Sequence, residues 1–95
     1  SSAYRAAFSE VFKILSKDYA AKNISCINIA PGPINTDRTK ELIENIEEYK
    51  KSLPMKRLGE PEEIGNFVKA IIENKIKYLS GVVINFDGAS SNYIF

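Results

Sequence analysis

Apolar positions recur along the start of the chain at helical spacing: Tyr4, Phe8, Val11 and Leu15, with Ala7 and Ile14 alongside. Residues three and four apart share one face of an α-helix, so the spacing predicts a helix over residues 2–22. Phe8, Phe12, Leu15 and Tyr19 widen the stripe into an aromatic side. A face that broad points to packing, against core or a second subunit, rather than to a cofactor cradle. Ser1 or Ser2 offers an N-cap hydroxyl, and Lys22-Asn23 a stop.

The period then changes. Residues 24–30 are too short for a helix, and Ile24 and Cys26 alternate there with Ile27 and Ile29. Apolar side chains on both alternating faces predict a strand covered on both sides, as in a parallel sheet. Ala30-Pro31-Gly32-Pro33 turns the chain out of that sheet, because proline has no N–H for the ladder. Thr36 or Asp37 caps a helix predicted over residues 37–52, with Leu42, Ile46, Tyr49 and Leu53 along one side and Pro54 ending it. Gly59 turns the chain again and Pro61 takes the first position of a helix over residues 61–74. Glu62 and Glu63 suit the positive end of its dipole, and Ile64, Phe67, Val68 and Ile71 form its buried face. Residues 81–86 read as a second buried strand, closed by Asp87-Gly88 and a tail over residues 87–95.

Two strands joined by helices imply a right-handed crossover and parallel pairing. A parallel sheet needs both faces covered and several strands, and this chain supplies two. It therefore reads as a single incomplete α/β unit, the second half of a doubly wound domain, and is not expected to be stable as an isolated monomer.

Composition narrows the function classes. The 95 residues are 44% hydrophobic and 26% charged, ordinary for a globular chain and too apolar for disorder. Thirteen basic residues against twelve acidic leave a net charge of +1, with no basic patch denser than Lys50-Lys51. Neither nucleic acid nor an anionic membrane is an expected partner. The single cysteine, Cys26, lies in an apolar run; a free buried thiol suits a reducing cytoplasm. The chain has no histidine, which removes the usual general base and the commonest metal ligand, and no metal site is expected. No apolar run approaches the ~20 residues that span a bilayer. No signal peptide is recognisable, and a chain that opens at Ser1 is expected to continue upstream.

In open α/β sheets ligands bind beyond the carboxyl ends of the strands. The segment leaving the first strand there runs Ala30-Pro31-Gly32-Pro33-Ile34-Asn35-Thr36-Asp37-Arg38. A glycine that admits close approach and a hydroxyl at a helix start are the ingredients of a polar binding rim. They are equally the ingredients of a rigid turn with Thr36 as a plain cap, and on spacing alone the turn is the better reading.

Several spaced motifs in order add to this. The chain opens S-S-A-Y-R-A-A, continues through N-I-A-P-G to P-I-N-T ending at Thr36, and later carries PMKRLGEPEEIG and YLSGVVINFDG. It resembles the C-terminal part of a short-chain dehydrogenase/reductase, of the kind that includes 3-oxoacyl-acyl-carrier-protein reductases. Members commonly read Y-x-x-x-K-A-A, then N-x-x-x-P-G followed by x-x-x-T, then P-x-x-R-x-G-x-P-E-E-I and Y-x-x-G-x-x-x-x-x-D-G. The resemblance implies a Rossmann-type sheet of which these are the last two strands, NAD or NADP as cofactor, and a small carbonyl or alcohol substrate. It implies that Pro31, Gly32 and Ile34 meet the nicotinamide, with backbone groups around Gly32 and Ile34 on the carboxamide. The Thr36 hydroxyl would reach the carboxamide or the pyrophosphate, and residues 37–55 would form the substrate lid. The family's Gly-rich phosphate loop and catalytic serine would lie upstream; G-x-x-x-G-x-G does not occur in this chain. A homo-oligomer, tetramer or dimer, is implied through the first helix and the edge of the last strand, with the tail Asn92-Tyr93-Ile94-Phe95 as further apolar surface.

In the aligned register the family's catalytic tyrosine falls on Ser1 and its lysine on Arg5. One helical turn separates the two, so the paired geometry is kept. A serine hydroxyl is a far weaker acid than a phenol and lacks its reach, so it would pass a proton only through water, unless another residue does the work. Arg5 can still hold ribose hydroxyls but stays protonated. Tyr4 does not replace the missing ring: three residues along a helix turn it by about 300° and advance it about 4.5 Å from Ser1. Its phase with Phe8 and Val11 is that of packing. Three readings follow: an NAD(P)-dependent oxidoreductase, a non-catalytic cofactor-binding or assembly subunit of the same family, and a swapped or multimeric α/β module.

Overall fold

The protein was analysed as a computed structural model describing residues 2–91; Ser1, residues 92–95 and the side chains of Ser2 and Arg5 lie outside the described residues. Helix α1 runs over Ser2–Ala20, strand β1 over Ile27–Pro31, α2 over Asp37–Leu42, α3 over Ile46–Ser52, α4 over Pro61–Glu73 and β2 over Val82–Phe86. The strands pair in parallel, Ile27 opposite Val82 through Pro31 opposite Phe86.

Each difference from the expected boundaries has a local cause. Helix α1 stops two residues short of the expected end because Asn23 turns left-handed (φ 59°) and its N–H bonds Ala20 O. Residues 24–26 are not strand. The Cys26 N–H donates to Ser80 Oγ at 2.9 Å and the Ser25 hydroxyl to Lys77 O at 2.6 Å, so side chains take over beyond the backbone bond from the Gly81 N–H to Cys26 O at 2.8 Å. Gly81 itself is left-handed, at φ 71°, and β2 begins one residue later than expected, at Val82. At the other end β1 includes Pro31. Along a strand N–H groups alternate in direction; the Gly32 N–H bonds Phe86 O at 3.1 Å, so Pro31 presents its missing donor to the far edge, where β2 loses nothing.

The expected helix over residues 37–52 is two. Ile43 leaves α2 in extended geometry, and Asn45 caps α3 by accepting from the Glu48 N–H at 3.2 Å. An asparagine that bonds backbone ahead of it competes with helix continuation. Helix α4 ends at Glu73, where the Asn74 side chain returns to Ala70 O and Lys75 turns left-handed.

Phe86 of β2 meets Phe67 of α4, ring centroids 5.7 Å apart, which assigns the alternate positions Val82, Ile84 and Phe86 to the α4 side. Helix α1 turns an unexpected face to the sheet. Tyr4, Phe8, Val11, Ile14 and Leu15 are exposed, Tyr4 to 81%. Facing Gly81 instead are Lys13, whose ammonium donates to Gly81 O at 3.0 Å, and Ser16, only 3% exposed. The Ser16 hydroxyl is satisfied one turn back, by Phe12 O at 2.7 Å, while Ser9 Oγ is enclosed with no hydrogen-bond partner among the described residues. Small side chains allow the helix to approach the glycine; within this chain the aromatic stripe is not core. The buried apolar side chains among the described residues are Leu53 and Leu58, both between α3 and α4. No helix among the described residues is long and apolar enough to cross a membrane.

Two glycines make opposite predictions. A Cβ on Gly32 would stand 2.5 Å from Asp87 Cβ, whereas one on Gly65, in the exposed part of α4, meets nothing within 4 Å. Gly32→Ala is expected to cost about 1–3 kcal/mol by overpacking. Gly65→Ala is expected to add about 0.5–1 kcal/mol by removing backbone freedom from the unfolded chain. Urea unfolding midpoints of the natural protein and the two variants measure both.

Candidate functional site

Beyond the carboxyl ends of the strands the chain is short of donors, because Pro31 and Pro33 have none. It is held instead by a distant residue. The Gly59 N–H donates to Pro33 O at 2.9 Å, and the Asn35 N–H donates to Gly59 O at 2.7 Å, an isolated parallel bridge between Ile34 and Gly59. Since Pro33 and Asn35 turn their backbone toward Gly59, the Ile34 N–H and C=O between them turn the other way. Neither has a partner among the described residues. A side chain at Gly59 would meet Ile34 Cδ1 at 2.9 Å, so the close approach requires glycine.

A cavity of about 260 Å³ lies here, walled by Pro33, Ile34, Leu53, Met55, Arg57 and Gly88. Thr36 caps α2: the Thr36 hydroxyl accepts from the Thr39 N–H at 3.2 Å and lies 3.0 Å from the Thr39 hydroxyl. Either hydroxyl can donate in that second contact; when Thr39 donates, the Thr36 O–H hydrogen is available to an acceptor outside the helix. Gly32 is tightly packed. Its missing side chain admits Asp87 and Ser90. Asp87 then closes the turn after β2, its two carboxylate oxygens accepting the Ala89 and Ser91 N–H groups, each at 3.1 Å. The structure thus gathers Ile34 and Thr36 at the strand end, with Pro31 and Gly32 as supports; Ser1 and the Arg5 side chain lie outside the described residues.

The periodicity did not reveal the polar cluster behind Gly59. Arg57 and Glu63 form a two-pronged ion pair, Nη1–Oε1 2.7 Å and Nη2–Oε2 3.2 Å. Arg57 Nη1 also donates to Leu58 O at 3.1 Å, Glu63 Oε1 accepts the Glu60 N–H at 3.0 Å, and Asn35 Nδ2 lies 3.3 Å from each Glu60 carboxylate oxygen. Hydrogen bonding from Arg57, with the Glu60 N–H second, pulls the Glu63 carboxyl from its ordinary 4.5 down to about 2. The same bond raises Arg57 above its ordinary value. Both residues were visible in PMKRLGEPEEIG, but residues six apart do not meet on a helix or along a strand.

A carboxyl more acidic in the folded chain stabilises the fold above its unfolded pKa and loses that contribution as pH falls through the folded value. For Glu63 the window runs from about 4.5 down to about 2. Glu63→Gln is therefore expected to be less stable than the natural protein at neutral pH, with the gap closing across that window; denaturant melts at stepped pH measure it. The pair is half-exposed, which keeps the gap small.

The family described as Enoyl-(Acyl carrier protein) reductase matches residues 1–90. The 3-oxoacyl-(acyl-carrier-protein) reductase FabG of Chlamydia muridarum is 43% identical over 77 residues, 80% of this chain and 31% of that protein. The enzyme of the same name from Aquifex aeolicus is 39% identical over the same length, with the same coverage of both chains. Among solved structures, YwfH, an NADPH dependent reductase involved in bacilysin biosynthesis, superposes with a TM-score of 0.80 at 31% identity, covering 94% of this chain and 38% of that one. A short chain dehydrogenase family protein from Francisella tularensis gives 0.77 at 27% identity, covering 90% and 40%. The chain spans about a third of the length of the curated relatives it matches. With the family match running through nearly the whole chain, and with its strands and crossover superposing on intact Rossmann-type domains, the chain belongs to the short-chain dehydrogenase/reductase family and supplies the last two strands of that doubly wound sheet.

Proposed function

We propose that this chain forms the nicotinamide end and the lid of an NAD(P)-dependent oxidoreductase acting between a carbonyl and an alcohol. The observation that carries this reading is the backbone of Ile34: one N–H donor and one C=O acceptor, side by side and unpaired among the described residues, at the carboxyl end of β1. A primary carboxamide offers the complementary acceptor and donor, so the residues present fit the group. With Thr39 donating in their shared contact, the Thr36 O–H suits the carboxamide oxygen or a phosphate oxygen, and Arg5 suits the ribose hydroxyls. Pro31 and Gly32 keep the strand end in place beneath them.

The bound dinucleotide supplies or accepts the hydride. This chain's part is to orient the ring, through Ile34 and Thr36, and to exclude water. The segment over α2 and α3 is suited to that as a lid, anchored by the buried Leu53. Reduction of a carbonyl also requires a proton at the oxygen; Ser1 stands at the family's tyrosine position and would deliver it only through water. If no such relay operates, the chain serves the non-catalytic alternative, a cofactor-binding or assembly subunit.

Titration of the natural protein with NADH and NADPH, followed by turnover on a panel of carbonyl compounds, separates these outcomes. Binding with turnover, the latter reduced by Arg5→Ala, is the expected result. Binding without turnover assigns the alternative, and absence of binding to either dinucleotide rejects both. Thr36→Val is expected to weaken dinucleotide binding severalfold and to cost about 1 kcal/mol of stability through loss of the cap.

We further propose a second copy of the chain as partner for the exposed α1 stripe of Phe8, Val11, Ile14 and Leu15. Val11→Lys is expected to shift the natural protein to a smaller species in sedimentation velocity; an unchanged distribution would remove α1 from the interface.

A further inference from the structure

We propose that the Arg57–Glu63 ion pair is a positioning pair for the cofactor's nicotinamide: it clamps residues 58–60 and, through the Gly59 bridge, fixes the direction in which the Ile34 N–H and C=O point. The proposal rests on the nicotinamide reading of Ile34 given above.

The segment after β1 is held by few bonds. Between Gly32 and the start of α2, its backbone ties among the described residues are the Gly32 N–H to Phe86 O and the exchange of Pro33 O and Asn35 N–H with Gly59. Pro33 contributes no donor, and the Ile34 N–H makes no bond among the described residues. The orientation of Ile34 is therefore only as definite as that of Gly59.

Gly59 has no side chain by which packing could hold it. It is held from both neighbours instead. On one side Arg57 Nη1 reaches Leu58 O, and Leu58 is itself buried at 3% exposure. On the other, Glu63 Oε1 takes the Glu60 N–H at the start of α4. The guanidinium and carboxylate then join these two anchors through parallel bonds of 2.7 and 3.2 Å, closing a polar ring around the glycine. A two-pronged charge-assisted pair restricts angle as well as distance, which a single ammonium would not. Asn35 adds a tie from the supported segment to the supporting one, through the Glu60 carboxylate.

Simple stabilisation of the α4 start would affect every ligand of the domain alike. Positioning would affect the nicotinamide and leave the rest of the dinucleotide untouched. ADP-ribose and its 2′-phosphate lack the nicotinamide ring and provide the comparison. The natural protein, Arg57→Gln, Glu63→Gln and Arg57→Lys are titrated with NADH or NADPH, whichever the natural protein prefers, and with the matching ADP-ribose. Both glutamine variants are expected to raise the dissociation constant of the reduced dinucleotide about tenfold while leaving ADP-ribose within about twofold, with Arg57→Lys intermediate. Arg57→Lys keeps the charge and one bond, so it still reports if a glutamine variant does not fold. Equal weakening of both ligands, or of neither, overturns the positioning role and leaves the cofactor reading standing. Failure of the natural protein to bind any dinucleotide overturns the cofactor reading, and the positioning role with it.

Discussion

The site end of this chain depends on one backbone exchange, that of Gly59 with Pro33 and Asn35. A strand that leaves its sheet through two prolines cannot hold itself, since proline contributes no donor and the ladder has ended. A segment 25 residues further along therefore has to supply the bonds, and it has to approach within contact of Ile34 Cδ1 to do so. Glycine is required for that approach, and the charge cluster of Arg57, Glu60 and Glu63 compensates for what glycine lacks in packing. The segment over α2 and α3 obeys the same constraint. It leaves at Thr36 and returns through the buried Leu53 and Leu58, so both its ends adjoin the residues that the bridge connects.

Much of the architecture was legible because it follows from period. Short apolar runs bounded by turn residues gave the strands, and spacings of three and four gave the helices. The boundaries were less legible, because they are set by contacts that period does not carry. Cys26 bonds a serine hydroxyl rather than a strand, and Asn45 caps a new helix inside a stretch whose apolar spacing would have continued. The orientation of α1 was not legible for a different reason. An apolar stripe says which side of a helix avoids water, not which neighbour covers it. The sheet is approached by Lys13 and Ser16, polar positions that periodicity assigns to solvent.

The candidate site divides the same way. Ile34 and Thr36 could be placed at a strand end and a helix start from sequence alone, and the family's motifs then gave them a reading. Gly32 was legible as a glycine that admits a close approach, and the Asp87 turn of the same chain makes one. Arg57 and Glu63 stood in full view in a quoted motif with no role attached, because their meeting depends on how Gly59 and Pro61 bend the chain between them. A residue pair that acts across a turn leaves no periodic trace.

That the strand pair and its crossover superpose on complete domains bears on where the instructions for this arrangement lie. A TM-score of 0.80 over 94% of the chain, at 31% identity, means that the backbone path agrees although most side chains differ. The least tolerant points of that path are glycines. Left-handed Gly81 leads into β2, Gly32 admits the Asp87 turn, and Gly59 permits the bridge to Ile34. Each is a place where a Cβ meets a neighbour or the backbone takes a conformation that L side chains rarely adopt. The apolar faces between them can vary so long as volume is kept. The Ile34 amide is therefore aimed by backbone geometry.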